Sequence, residues 1–206
     1  MTNKEIRTLT MPIELRSMEE NSEKRYIVGY ALKFNSESED LGGFVEKIDS
    51  RALNGADMSD VRALFNHDAN QVLGRSKAGT LKLEVDEIGL KYTIDPPDTQ
   101  SARDLLHSMS RGDIDQSSFG FSINHDTDDE WEYNEQRGLY VRTIKQFRNI
   151  FDVSVVTYPA YSATESVVGQ RGLEVAHRSL TNHKNELEIR MAQEQIAIEL
   201  ELLTLL

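Results

Sequence analysis

The run Leu81-Lys82-Leu83-Glu84-Val85-Asp86-Glu87-Ile88-Gly89-Leu90-Lys91-Tyr92-Thr93-Ile94 decides the class of the fold. Leu81, Leu83 and Val85 alternate with polar residues, as do Leu90, Tyr92 and Ile94, and a period of two places each apolar set on one face of a strand. Asp86 to Gly89 supply a turn with glycine near its close. The run therefore reads as a β-hairpin.

Further along the chain, Pro96-Pro97 stop the second strand, and Asp98 or Thr99 can cap a helix with Leu105, Leu106 and Met109 on its inner side. Gly112 ends that helix. Residues 117 to 123 read as strand again. A second hairpin joins Trp131-Glu132-Tyr133 to Leu139-Tyr140-Val141, and Phe151 to Thr157 form a β-branched strand that Tyr158-Pro159-Ala160-Tyr161 ends. Before the first hairpin, Tyr26 to Phe34 are β-prone and Asn35 to Asp40 read as loop. Residues 61 to 65 make a short buried strand that stops at Asn66-His67-Asp68, residues that favour turns. Many short strands with one inserted helix predict an α+β fold: a β-barrel or strongly curved, mostly antiparallel sheet flanked by helices.

The character changes beyond about residue 175. From Ala176 to Leu206 there is no glycine or proline, and Ile189, Ile196 and Leu203 recur every seven residues, with Ala192 and Leu206 as companions. The expected organisation is one domain over residues 1–170, followed by a linker and helical tail over 171–206. That tail would serve docking, self-association or removal by cleavage.

Of the 206 residues, 35 are acidic and 23 basic, and a net charge of −12 is the wrong sign for neutralising phosphates. Nucleic acid is not an expected partner. The absence of cysteine excludes disulfides, a thiol nucleophile and cysteine-ligated zinc, so a hydrolase of this composition needs a hydroxyl nucleophile or an activated water. Lys4, Glu5, Arg7, Glu14 and Arg16 break any apolar core of a secretory signal, and no stretch is long and uncharged enough to span a bilayer. A soluble protein of the cytoplasm is expected, without membrane partners. No nucleotide cofactor is expected either, because Gly42-Gly43 and Gly169 with Gly172 lack a phosphate-loop context.

A hydroxyl nucleophile needs a neighbouring base, usually histidine, oriented by a third group. Of five histidines, His67 alone sits at a strand end between hydrophobic runs. By position alone such a histidine is more often structural than catalytic. In Gln116-Ser117-Ser118-Phe119-Gly120-Phe121-Ser122, alternation turns Phe119 and Phe121 one way and Ser118, Gly120 and Ser122 the other. Alternation alone favours a solvated serine-rich face there over a catalytic one. Asp152 shares a face with Ser154 and Val156, and if buried it requires a partner, either a histidine or a basic residue such as Arg148. Asp126, Asp128, Asp129 and Glu130 read as a solvated hairpin loop, lacking the sharp-turn glycine of a calcium site, and no metal site is expected.

Ala63-Leu64-Phe65-Asn66-His67-Asp68 with Leu73-Gly74-Arg75, then Gly112-Asp113-Ile114 and Ser118-Phe119-Gly120-Phe121, then Asp152-Val153-Ser154-Val155-Val156-Thr157 with Pro159-Ala160-Tyr161, resemble the successive motifs of the tailed-phage prohead protease family. The similarity runs in order over roughly residues 8 to 170. It implies an assemblin-like serine peptidase with a β-barrel flanked by helices. Its catalytic histidine falls on His67, its serine on Ser118 and its acidic member on Asp152, where many relatives carry glutamate; Asp68 is the fallback. Backbone N–H groups near Ser118 and Gly120, or the Arg75 guanidinium, could stabilise an oxyanion. The resemblance further implies action inside the procapsid in the host cytoplasm, with the major capsid protein and scaffold as substrates. A homo-oligomer, such as a dimer, is also implied, and self-cleavage is expected in the polar linker of about residues 162 to 185, which carries Gly169 and Gly172. The alternative of a different class is a non-enzymatic assembly or scaffold protein.

Overall fold

A computed structural model describes residues 4–9, 13–17 and 25–158. All of these fall within one compact unit, Met1–Val168. The expected helical tail and the 171–206 segment lie outside the described residues.

In chain order the strands are β1 (Glu5–Leu9), β2 (Glu14–Ser17), β3 (Arg25–Lys33), β4 (Phe44–Ile48), β5 (Arg62–Phe65), β6 (Asp68–Arg75), β7 (Leu81–Val85) and β8 (Gly89–Ile94). Helix α1 (Gln100–Arg111) follows, then β9 (Gln116–Ser122), β10 (Asp129–Asn134), β11 (Leu139–Ile144) and β12 (Asn149–Val156). The first hairpin is β7 and β8, and its alternating apolar residues meet in register, Leu81 opposite Ile94, Leu83 opposite Tyr92 and Val85 opposite Leu90. Asp86 closes the turn, its Oδ1 accepting the amides of Ile88 at 2.8 Å and Gly89 at 3.0 Å.

Helix α1 forms where its caps predict. The Thr99 hydroxyl accepts from the Ala102 amide, and Gly112 ends the helix in the left-handed conformation at φ 81°. Ala102, Leu105 and Met109 are its buried side chains. Among the described residues no helix is long and apolar enough to cross a membrane.

The strands assemble into three open sheets with orders β1-β9-β12-β5-β6, β2-β3-β8-β7 and β10-β11-β4. This corrects the expected barrel, because each order ends in two edge strands and none closes on itself among the described residues. Sheet order is set by pairings between strands distant in sequence, among them β12 with β5 and β11 with β4, both parallel. Parallel neighbours need long crossovers and leave no trace in local alternation. Among the described residues α1 is the single α-helix, and the architecture is mostly sheet.

The core gathers Ile27, Leu32, Leu90, Tyr92, Ile94, Val153 and Val155 with an aromatic group of Phe119, Phe121 and Phe147. The Phe147 ring meets Phe121 edge-on at 5.0 Å and Phe119 at 6.0 Å, and burial of each ring contributes about 1.5–3 kcal/mol. Phe119 and Phe121 face this core as alternation requires. The opposite face of β9 is not solvated, however: Ser118 and Ser122 are both buried. β9 lies between β1 and β12, so its serines are enclosed by side chains from neighbouring strands.

Candidate active site

Strand register builds the site. On antiparallel β9 and β12, Ser118 stands opposite Ser154 and Gly120 opposite Asp152, so all four occupy one face. β5 runs parallel to β12 on its other side and delivers the following turn to the same face. Phe65 pairs with Asp68, leaving Asn66 and His67 as a two-residue hairpin loop with φ of 51° and 56°. Positive φ at both loop positions is the primed-turn geometry favoured in two-residue hairpins, and Asn and His tolerate it better than most side chains.

Asn66 also fastens the turn. Its amide donates to the Val155 carbonyl at 2.9 Å, and its side-chain Oδ1 accepts the Thr157 amide at 2.9 Å and the Thr157 hydroxyl at 3.2 Å. The loop carrying His67 is thereby tied to the end of β12, the strand that carries Asp152.

The result is a continuous hydrogen-bonded chain. Ser118 Oγ lies 2.7 Å from His67 Nε2, and His67 Nδ1 lies 2.5 Å from Asp152 Oδ1. Nδ1–H donating to the carboxylate leaves Nε2 as acceptor for the serine hydroxyl, the tautomer a general base requires. Ser154 Oγ donates to Asp152 Oδ1 at 3.0 Å and lies 3.2 Å from His67 Nδ1. Burial pushes the Asp152 carboxyl upward, but the His67 hydrogen bond and charge, then Lys4, more than reverse this and hold it below its ordinary value. The carboxylate therefore stays charged to orient the imidazole.

Two contacts come from the N-terminal segment, in which the sequence shows no catalytic pattern. The Arg7 carbonyl accepts from Ser118 Oγ at 2.9 Å, and Lys4 Nζ pairs with Asp152 Oδ2 at 2.6 Å. β1 is held in place by a buried ionic network. Arg142, fully buried, donates to Glu5 Oε2 and Glu46 Oε2, both at 2.8 Å, and to Asp129 Oδ2 at 2.7 Å, while Arg7 Nε reaches Glu46 Oε1 at 2.9 Å. Burial raises the Glu5 and Asp129 carboxyls; hydrogen bonds and charges from Arg142, Arg7 and His125 at Glu5, and from His125 and Arg142 at Asp129, outweigh it and keep both below their ordinary range.

The structure thus brings His67, Ser118 and Asp152 together and leaves the other candidates apart. Arg75 is bound to Asp60 through two hydrogen bonds of 2.7 Å. Gly120 belongs to an interior strand whose amides serve the ladders to β1 and β12, and its absent side chain makes room for Asp152 and Lys4. Asp68 caps its own loop by accepting the Asn70 amide at 2.8 Å. Arg148, the other partner open to Asp152, engages Asp128 instead. Asp128 and Asp129 are drawn inward by Arg148 and Arg142, which corrects their reading as solvated. Among the described residues no cluster of His, Asp or Glu is arranged to hold a metal.

The sequence model of the caudovirus prohead serine protease family matches residues 11–183. The chain belongs to that family. His67, Ser118 and Asp152 all lie within the matched span of this prohead protease, whereas β1 with Lys4 and Arg7 precedes it. No curated protein matches the chain. A solved structure to which it is similar is the bacteriophage T4 capsid assembly protease gp21, at 13% identity, covering 74% of this chain and 96% of that one with a TM-score of 0.46.

Proposed function

We propose that this prohead protease is a serine endopeptidase in which Ser118 is the nucleophile, His67 the general base and acid, and Asp152 the group that fixes the imidazole. The observation that carries the reading is the hydrogen-bonded order Ser118–His67–Asp152 at 2.7 and 2.5 Å, assembled from three separate strands and loops. His67 Nε2 takes the hydroxyl proton as Ser118 Oγ attacks the scissile carbonyl, and then returns it to the leaving amine. Asp152 stabilises the imidazolium formed between these steps. The Ser118 hydroxyl has one hydrogen and two acceptors within reach, the Arg7 carbonyl and His67 Nε2, and attack proceeds when the hydrogen points to His67.

The substrates we assign are scaffold protein, or the N-terminal scaffolding segment of the major capsid protein, together with the chain itself in the polar, glycine-bearing stretch between about residues 162 and 185. The place of action is the interior of the procapsid, in the host. Co-expression with the capsid protein tests this. Wild type is expected to yield shortened capsid protein and a shortened protease, and Ser118→Ala neither; identical fragment patterns from the two would remove the assignment.

A further inference from the structure

We propose that Lys4 is a positioning residue of the Ser118–His67–Asp152 site, holding the second oxygen of the Asp152 carboxylate and balancing its charge. The proposal rests on the catalytic reading above. Asp152 is 2% exposed, and its Oδ1 is occupied by His67 and Ser154. A buried carboxylate oxygen without a donor is costly. Oδ2 receives no hydrogen bond of regular geometry, and the Lys4 ammonium beside it at 2.6 Å offsets the cost with its charge.

Two further observations show that the contact is built into the sheet. Ile6 and Thr8 stand opposite Gly120 and Ser118, so Lys4, two residues before Ile6, belongs to the face that carries the site. A Cβ at Gly120 would overlap Lys4 Cε and come within 2.5 Å of Asp152 Oδ2, so the missing side chain is what admits the lysine to the carboxylate. Among the described residues the charged groups in contact with Asp152 are His67 and Lys4. Arg62, its register neighbour on β5, turns to Asp60 at 3.2 Å.

A positive charge on Oδ2 weakens the pull of Asp152 on the imidazolium proton. Without it the carboxylate holds that proton more tightly, and the imidazole is less available as a base towards the serine hydroxyl. The Lys4 side chain is 39% exposed, so solvent screens the effect and keeps it modest.

Full-length protein labelled with a fluorophosphonate reads this without a known peptide substrate, since Ser118 Oγ bonds to phosphorus as fluoride leaves and the hydroxyl proton passes to His67. In Lys4→Met and Lys4→Gln labelling is expected to slow several-fold on the acid side of the rate profile and to meet wild type on the alkaline plateau. Lys4→Arg is expected to restore the wild-type profile. Lys4→Gln keeps a donor without the charge, so a wild-type profile in that variant overturns the electrostatic role, as does a Lys4→Arg profile that matches Lys4→Met. Should wild type resist the probe as Ser118→Ala does, the catalytic reading itself fails and takes the role of Lys4 with it.

Discussion

Replacing Gly120 by alanine adds one methyl group to the face on which Asp152 lies. The new Cβ would sit 2.5 Å from Asp152 Oδ2 and against Lys4 Cε. The lysine end has space to swing aside but gives up its pairing with Oδ2 in doing so, and the carboxylate is held by His67 and Ser154 and is buried. Relieving the contact to an ordinary separation moves the carboxylate by about 0.5–0.9 Å, and displacements of ~1 Å in a catalytic group lower rates by up to about 100-fold. On the proposed Ser118–His67–Asp152 mechanism, kcat/KM for peptide-bond cleavage is expected to fall by roughly 10- to 100-fold, equivalent to about 1.4–2.7 kcal/mol of transition-state stabilisation. Overpacking should cost about 1–3 kcal/mol of folding stability, which urea denaturation measures. Alanine keeps the backbone N–H, so a role for Gly120 as an oxyanion donor predicts almost no change. In an Asp152→Ala background the same substitution should have little further effect, because the group it displaces is gone. An activity within about twofold of wild type, or an equal loss in both backgrounds, would falsify the steric account.

The other expectations concern what holds the site together. Arg142→Leu removes the buried cation shared by Glu5, Glu46 and Asp129, leaving them only Arg7 and His125, and should cost about 3–5 kcal/mol near neutral pH, by urea denaturation. Glu5 and Asp129 are held below their ordinary values in the native protein, so their contribution is present above the unfolded carboxylate range and is lost as pH falls through the native one. In the variant these carboxyls are raised instead, and the difference in stability from wild type should shrink as pH drops; a difference unchanged across acid pH would contradict the network's role. Asn66→Ala removes the clamp to Thr157 and puts alanine at positive φ, so about 1–3 kcal/mol of stability and at least several-fold in cleavage rate should be lost. Asn66→Gly relieves the backbone but not the clamp, and activity fully restored by glycine would show that the Thr157 contacts do not position His67.

Local elements were written plainly in the sequence. The alternation of Leu81 to Ile94 gave the β7–β8 hairpin, and the Thr99 and Gly112 caps gave α1, because both signals act over a few residues. The faces of β9 and β12 were equally legible, with Phe119 and Phe121 turned to the core and Ser118 and Asp152 away from it. Whether the second face was wet or buried was not legible, since that depends on β1 and on the turn that brings His67. The primed turn at Asn66-His67 could have been suspected from its residue types, but its positive φ values belong to the paired strands on either side.

Sequence by itself determined which side chains were available: no thiol, a histidine at a strand end, a serine on an alternating strand, an aspartate opening an apolar one, and the order of motifs that marks the family. Tertiary structure alone decided their company. The parallel pairing of β5 with β12 and the docking of β1 beside β9 join segments tens of residues apart, and those contacts arise from burial and hydrogen-bond completion across the sheet rather than from any local preference. Lys4 on Asp152 and the Arg7 carbonyl on Ser118 exist only once that sheet has formed.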